Sequence, residues 1–137
     1  MSIAAEYGKM DVVKLMIQLG ANDFKRALIK AALRGRLEIV RLMLDQGANN
    51  LNEALTYAAE KGHIDVIKLL LERGANNIDG ALIDAARNGQ LDTVEFLINN
   101  GADPNVVMEN AELFDPMTLD EVQGKLRQMH LRKRKRN

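Results

Sequence analysis

The chain has 137 residues, of which 47% are hydrophobic, which is enough for a core and excludes a chain that is disordered throughout. It contains no cysteine, so disulfides, thiolate metal sites and a cysteine nucleophile are excluded, and a reducing, intracellular compartment is compatible. No run of about 18 apolar residues occurs, so neither a membrane span nor a membrane partner is expected. The formal net charge is +0, but five cations at 132–136 leave 0 − 5 = −5 for residues 1–131.

A short phrase recurs at intervals of 27 residues. Gly-Ala followed by Asn or Asp begins at Gly20, Gly47, Gly74 and Gly101. An Ala-Ala pair follows the same step and begins at Ala4, Ala31, Ala58 and Ala85. A further glycine does so at Gly8, Gly35, Gly62 and Gly89. Self-similarity of this kind predicts a stacked repeat protein, in which each unit buries its apolar face against its neighbours.

The start of each unit is illustrated by residues 49–75. Asn49–Asn52 predicts a turn, because Asn tolerates the left-handed backbone region and caps helices. Asn50 and Glu53 have the spacing of a capping box, and Asn52 is a rival cap. The turn is therefore predicted to lead directly into a helix.

Each unit is predicted to contain two helices. In the same copy a first helix is expected over 53–60 and a second over about 64–72, since Gly62 and Gly74 suit the position just after a helix end. The alanine pair lies on the first helix, where small side chains let neighbouring repeats approach closely. The fold class that follows is all-α: a helical solenoid of about four helix-turn-helix repeats plus a C-terminal capping helix.

The unit resembles the ankyrin repeat. The resemblance rests on the run Ala-Ala-x-x-Gly-His-Ile-Asp-Val-Ile-Lys-Leu-Leu-Leu-Glu-x-Gly-Ala-Asn at 58–76, with looser copies at 4–22, 31–49 and 85–103. The common ankyrin unit is longer and opens its first helix with Thr-Pro-Leu-His, which this chain lacks. The resemblance therefore implies an ankyrin-like solenoid with shortened loops in place of hairpin fingers. Short arrays of this style are similar to ankyrin proteins of giant DNA viruses of amoebae.

The repeat period divides the chain. Ankyrin-like repeats are predicted over 1–102, as a truncated first repeat and three complete copies at 1–21, 22–48, 49–75 and 76–102. A degenerate C-terminal capping repeat at 103–131 and a basic tail at 132–137 follow. Within the cap, a helix is expected around Val106–Phe114, and Thr118–Glu121 has the spacing of a capping box that opens a last helix.

Repeat 1–21 lacks its first turn, because Met1 corresponds to Leu28. Two interpretations stay open: a natural start, or a fragment of a longer array. An apolar N-terminal face that lacks a cap also predicts a monomer or a weak homo-oligomer formed through that face.

No reaction centre is predicted, so the chain is expected not to be an enzyme and to need no cofactor or metal. The two histidines, His63 and His130, lie far apart in sequence, and His63 occupies a position at which ankyrin repeats commonly have a structural histidine. The glycines stand singly at helix ends, which excludes a phosphate-binding glycine loop.

The favoured function is a non-enzymatic scaffold that binds a protein partner through the concave face, as the resemblance implies. Positions on that face are expected to differ between copies while the core stays constant. The predicted contact residues on the first helices are Lys30, Leu33, Arg34, Tyr57, Glu60, Lys61, Asp84, Arg87 and Asn88. The variable positions in the loops are Lys25, Arg26, Asn52, Glu53, Asp79 and Gly80.

Two alternatives remain. One is nucleic-acid binding or nuclear targeting through the basic tail, whose members are Arg132, Lys133, Arg134, Lys135 and Arg136. The other is self-assembly through the N-terminal face. The expected location is accordingly cytoplasmic or nuclear.

Overall fold

The computed structural model describes residues 24–136, with side chains as far as Arg132. The predicted repeat 1–21 and its N-terminal face lie outside the described residues. Throughout 24–136 the chain forms helices and turns and no strand, which confirms the all-α prediction. The helices are α1 Phe24–Arg34, α2 Leu37–Asp45, α3 Leu51–Lys61, α4 Ile64–Glu72, α5 Ile78–Arg87, α6 Leu91–Asn99, α7 Asn105–Glu109 and α8 Pro116–Arg136, with a 3₁₀ turn at Ala111–Leu113.

A glycine ends the first helix of each repeat. Gly62 has φ +75°, in the left-handed region that favours glycine, and the next residue turns toward the second helix. The N–H of His63 donates to the carbonyl of Ala58 at 2.9 Å, and the N–H of Gly62 donates to that of Ala59 at 3.2 Å. This pair of bonds satisfies carbonyls at the helix end, as in a Schellman motif.

The Gly-Ala phrase ends the second helix in the same way. The N–H of Ala75 donates to the carbonyl of Leu70 at 2.9 Å, while Gly74 has φ +112°. Ala75 is itself buried, so the alanine of the phrase closes the turn against the core. The recurring Gly-Ala sequence therefore ends the second helix, with the glycine in the left-handed region and the alanine buried.

The core combines an alanine pair and a leucine on each described first helix with larger apolar side chains on the second helices. Ala58 and Ala59 on α3 are fully buried, as is Ile67 on α4. The equivalent alanines of the other repeats, Ala31, Ala32, Ala85 and Ala86, are at most 4% exposed. Full burial of each Leu or Ile stabilises the fold by about 1.5–3 kcal/mol. The hydrophobic pattern predicted this layer correctly.

Helix α3 begins earlier than expected, at Leu51 instead of residue 53. Asn50 occupies the N-cap position, but its side chain makes no cap hydrogen bond to the backbone. Its Nδ2 instead donates to the carbonyl of Lys25 at 3.2 Å and to Oε1 of Glu53 at 3.0 Å. The predicted capping box was therefore wrong, because Asn50 is used to connect two repeats.

The C-terminal segment departs from the expected helix boundaries. The helix expected around Val106–Phe114 is divided into α7 and the 3₁₀ turn. The last helix, α8, begins at Pro116, a residue suited to a first helical position because it has no N–H to satisfy. Oδ2 of Asp115 accepts the N–H of Thr118 at 3.3 Å, so the helix start is capped by Asp115 and the predicted cap at Thr118 was wrong.

Candidate protein-binding face

The stack is tightest along its first helices. Helices α1, α3 and α5 contact one another extensively, whereas contacts between α2 and α4 are few. The alanine pairs suit this close approach, because Ala58 and its equivalents are buried and have only a methyl side chain.

All nine predicted contact residues lie on α1, α3 or α5 or just after them, and none belongs to the buried core. Five of them are exposed: Lys30, Arg34, Lys61, Arg87 and Asn88. The other four are half-buried: Leu33, Tyr57, Glu60 and Asp84. We call the surface formed by these nine side chains the inner face.

Charged groups interact at the α3–α5 end of the inner face. Burial raises the pKa of the Asp84 carboxyl above its ordinary value, Arg87 opposes that rise, and the neighbouring Glu60 carboxylate adds to it. Carboxylates on α3 and α5 therefore lie close enough to influence each other. Asn88 is engaged locally, because its Nδ2 donates to the carbonyl of Asp84 at 2.8 Å.

The six variable positions that were predicted to lie in loops belong instead to the first turns of α1, α3 and α5, because these helices begin earlier than expected. Two of them make hydrogen bonds within the stack. Oδ1 of Asn52 accepts the backbone N–H groups of Asn76 at 2.9 Å and Asn77 at 3.0 Å. One repeat later, Oδ1 of Asp79 accepts the N–H of Asp103 at 2.8 Å. These bonds connect the start of one repeat to the turn that ends it. Asn52 and Asp79 occupy equivalent positions and both supply an acceptor oxygen, so the difference between them does not require a partner to explain it.

A second set of bonds connects neighbouring repeats through the turn between paired helices. Nε2 of His63 lies 2.9 Å from the carbonyl oxygen of Leu33, and Nε2 of Gln90 donates to that of Glu60 at 3.1 Å. The two side chains are 27 residues apart and reach equivalent carbonyls. His63 is thus a structural residue. Comparing equivalent positions of the copies for hydrogen-bonding side chains would have revealed the role of Gln90 from the sequence.

The C-terminal helix is held by a cluster of charges. Glu95 on α6 pairs with Lys125 at 2.7 Å and with Arg132 at 3.2 Å. The hydrogen bond from Lys125 and the charge of Arg132 hold the pKa of the Glu95 carboxyl below its ordinary value. Arg132, assigned to the basic tail in the sequence, is therefore also a contact of the folded unit.

A cavity of about 470 Å³ lies between α6 and α8. Its lining mixes charged and apolar side chains, among them Glu95, Ile98, Leu126 and Met129. Along the described part of α8, the backbone continues as helix through Arg136, so the basic tail extends this helix. Sequence reasoning did not identify the cavity, because it depends on how α8 packs.

The described residues meet the requirements neither of a metal site nor of a membrane-spanning helix. No group of three or more His, Cys, Asp or Glu side chains within that range could hold a metal ion. None of the helices over the described residues is both long and apolar enough to cross a membrane.

Comparison with known proteins adds one finding. The family model described as ankyrin repeats (three copies) matches the chain twice, over residues 1–80 and residues 50–108. The two overlapping matches together cover 1–108 of the 137 residues. No curated protein matches the chain.

Proposed function

The chain belongs to the ankyrin repeat family, and from that membership we propose that it is a non-enzymatic scaffold that binds a protein partner through the inner face. Ankyrin repeats are generally protein–protein interaction modules, and the family is typically non-enzymatic. The contribution of this chain is the choice of side chains on α1, α3 and α5, which meet different parts of one partner.

One observation carries the proposal. Equivalent positions on the three first helices are occupied by Lys30, Tyr57 and Asp84, while the residue that follows each of them is a buried alanine. Packing holds the alanines constant between copies. The outward positions differ in charge and size, so packing does not dictate them. A surface that varies above a constant core is suited to recognising one particular partner.

Tyr57 is the central anchor of the proposed interface. It is half-buried on α3, the middle of the three first helices, and it presents the only aromatic ring of the inner face. Energetic anchors cluster near the centre of an interface and are enriched in Tyr. A tyrosine ring also buries a large area with few rotatable bonds to immobilise.

Replacing this ring should weaken partner binding with little effect on folding. We expect Tyr57→Ala to cost about 2 kcal/mol in binding, which is about a thirtyfold rise in Kd. The measurement is a titration of the variant with the partner that the intact chain captures from a host lysate, after identification by mass spectrometry. A melting curve on the same sample checks that the fold is kept.

Lys68→Ala is the matched control. Lys68 is an exposed residue of α4, on the opposite side of the repeat from Tyr57, and its removal should leave both affinity and melting temperature nearly unchanged. An interface on the outer helices would reverse this result, with Lys68→Ala weakening binding and Tyr57→Ala silent.

In the same proposal, residues 103–131 act as the C-terminal cap of the stack. Val107 on α7 and Val122 on α8 are fully buried, and α8 contacts both α5 and α6. These contacts support a cap that takes the place of a further repeat at the C-terminal end of the stack.

A further inference from the structure

The charge of the inner face is concentrated at one end. Helix α1 has four cations and no acidic residue, a net of 4 − 0 = +4, and two of these cations, Lys30 and Arg34, belong to the inner face. Helices α3 and α5 each have one cation and two acids, a net of 1 − 2 = −1. Among the first helices, only α1 therefore has an excess of positive charge. The chain thus has a second basic region besides the tail at 132–136.

Charges on the other two helices partly compensate one another, whereas Lys30 and Arg34 on α1 have no such partner among the described ion pairs. Asp84 is influenced by the neighbouring Arg87 and Glu60. Lys30 and Arg34, by contrast, are exposed, and the ion pairs of the described residues, at Asp45 and Glu95, do not include them.

Lys30, Arg34 and Lys61 form one basic strip, which we call the basic edge. Lys30 and Arg34 are four residues apart, so they lie on one face of α1. Lys61 is the equivalent of Arg34 on α3, and packed helix axes lie about 8–10 Å apart. Beside this edge stand two half-buried apolar groups, Leu33 and Tyr57.

We propose that the inner face takes an acidic segment of its protein partner, with carboxylates on the basic edge and an apolar side chain between Leu33 and Tyr57. This inference rests on the proposed function and specifies its partner. The complementary charge supplies the specificity, since paired opposite charges steer encounter and like charges disfavour other ligands.

A nucleic acid fits the same surface less well. Glu60 and Asp84 are carboxylate side chains of the inner face on α3 and α5, and Glu60 directly precedes Lys61. They would repel a phosphate backbone that continued along the first helices, whereas a peptide can alternate its charges to match. The observed arrangement therefore favours a protein segment of mixed character, acidic where it meets α1.

The test uses the full chain and a displayed library of random peptides as the probe. Peptides enriched on the natural chain should be acidic and should contain an apolar residue. The double variant Lys30→Glu with Arg34→Glu should bind the same peptides at least about tenfold more weakly. Binding to the natural chain should also weaken with added salt, because these side chains are exposed to solvent.

The matched control is Arg41→Glu with Lys68→Glu. It makes the same change in net charge at exposed positions of α2 and α4 and should leave peptide affinity unchanged. Lys30→Gln with Arg34→Gln provides a milder variant, with an intermediate loss, should charge reversal impair folding.

The possible outcomes distinguish failure of the acidic-partner inference from failure of the proposed scaffold function. Enriched peptides that are neutral or basic, yet depend on Tyr57, would overturn the acidic partner and leave the scaffold function standing. Equal losses in the control pair would also overturn the inference, as would preferential binding of a single-stranded oligonucleotide that requires Lys30 and Arg34. Absence of any enriched peptide would count against both.

Discussion

Ala58→Leu is expected to lower the free energy of unfolding by about 1–3 kcal/mol, the usual cost of overpacking a filled core. Ala58 is fully buried on α3, which packs against α1 on one side and α5 on the other. A leucine there needs room that neither neighbour can give without separating the first helices. Urea or thermal unfolding followed by circular dichroism measures the loss.

The control for this substitution is Lys61→Leu, which introduces the same residue at an exposed position of the same helix. It should change stability by less than about 0.5 kcal/mol. Equal stabilities for the two variants would mean that Ala58 does not face a tight helix contact, and that the close packing of the first helices does not depend on the alanine pairs.

Gly62→Ala should destabilise the stack by more than Gly89→Ala, although the two glycines have nearly the same backbone. Their φ angles are +75° and +69°, so an alanine pays the left-handed strain of about 1–2 kcal/mol at either site. At Gly62 the new Cβ would also lie 2.6 Å from Oε1 of Gln90, whereas at Gly89 nothing lies within 4 Å.

The additional loss at Gly62 comes from the displaced side chain. Moving Gln90 breaks its 3.1 Å bond to the carbonyl of Glu60, and a hydrogen bond of this kind contributes about 0.5–1.5 kcal/mol. We therefore expect a difference of about 1 kcal/mol between the two alanine variants in denaturant unfolding.

A double-mutant cycle isolates this contact. In a Gln90→Ala background, Gly62→Ala should cost only the backbone strain, about as much as Gly89→Ala in the natural chain. If Gly62→Ala cost the same with and without Gln90, displacement of the Gln90 side chain would contribute nothing measurable, and the explanation of the larger loss at Gly62 would fail.

The repeat architecture was predictable from the sequence because it depends on local and periodic features. The glycine positions at helix ends, the buried alanine pairs and the second helix at Ile64–Glu72 all follow from spacing within one unit. The same glycine and alanine positions recur in each copy, so the repeat pattern is very unlike a chance coincidence. The family match over residues 1–108 supports the same conclusion.

What could not be predicted depends on contacts between repeats. Asn50 is a residue type that commonly caps helices, yet its side-chain amide donates to the carbonyl of Lys25 and to the carboxylate of Glu53. Arg73 pairs with Asp45, 28 residues earlier, at 3.1 Å. Such partners become apparent only when the stacking of neighbouring units is known, because propensity and capping rules describe a single helix.

For the candidate site, the exposure of the residues could be predicted from the sequence, whereas binding at that surface stays a prediction. Variation between copies identified Lys30, Tyr57 and Asp84 as outward positions, and the structure places them at the surface of α1, α3 and α5. The charge difference between α1 and the other first helices is not apparent from the net charge of the chain, because the cations at 132–136 and the acids elsewhere balance it. The proposed acidic partner rests on that difference.

The most direct test of partner binding at the inner face is amide chemical-shift mapping of the isotope-labelled chain during titration with its partner. Binding there predicts that the perturbed amides lie on α1, α3 and α5, centred on Tyr57, with α2 and α4 little affected. Perturbations confined to α2, α4 and α6, or to the end of α8, would contradict it.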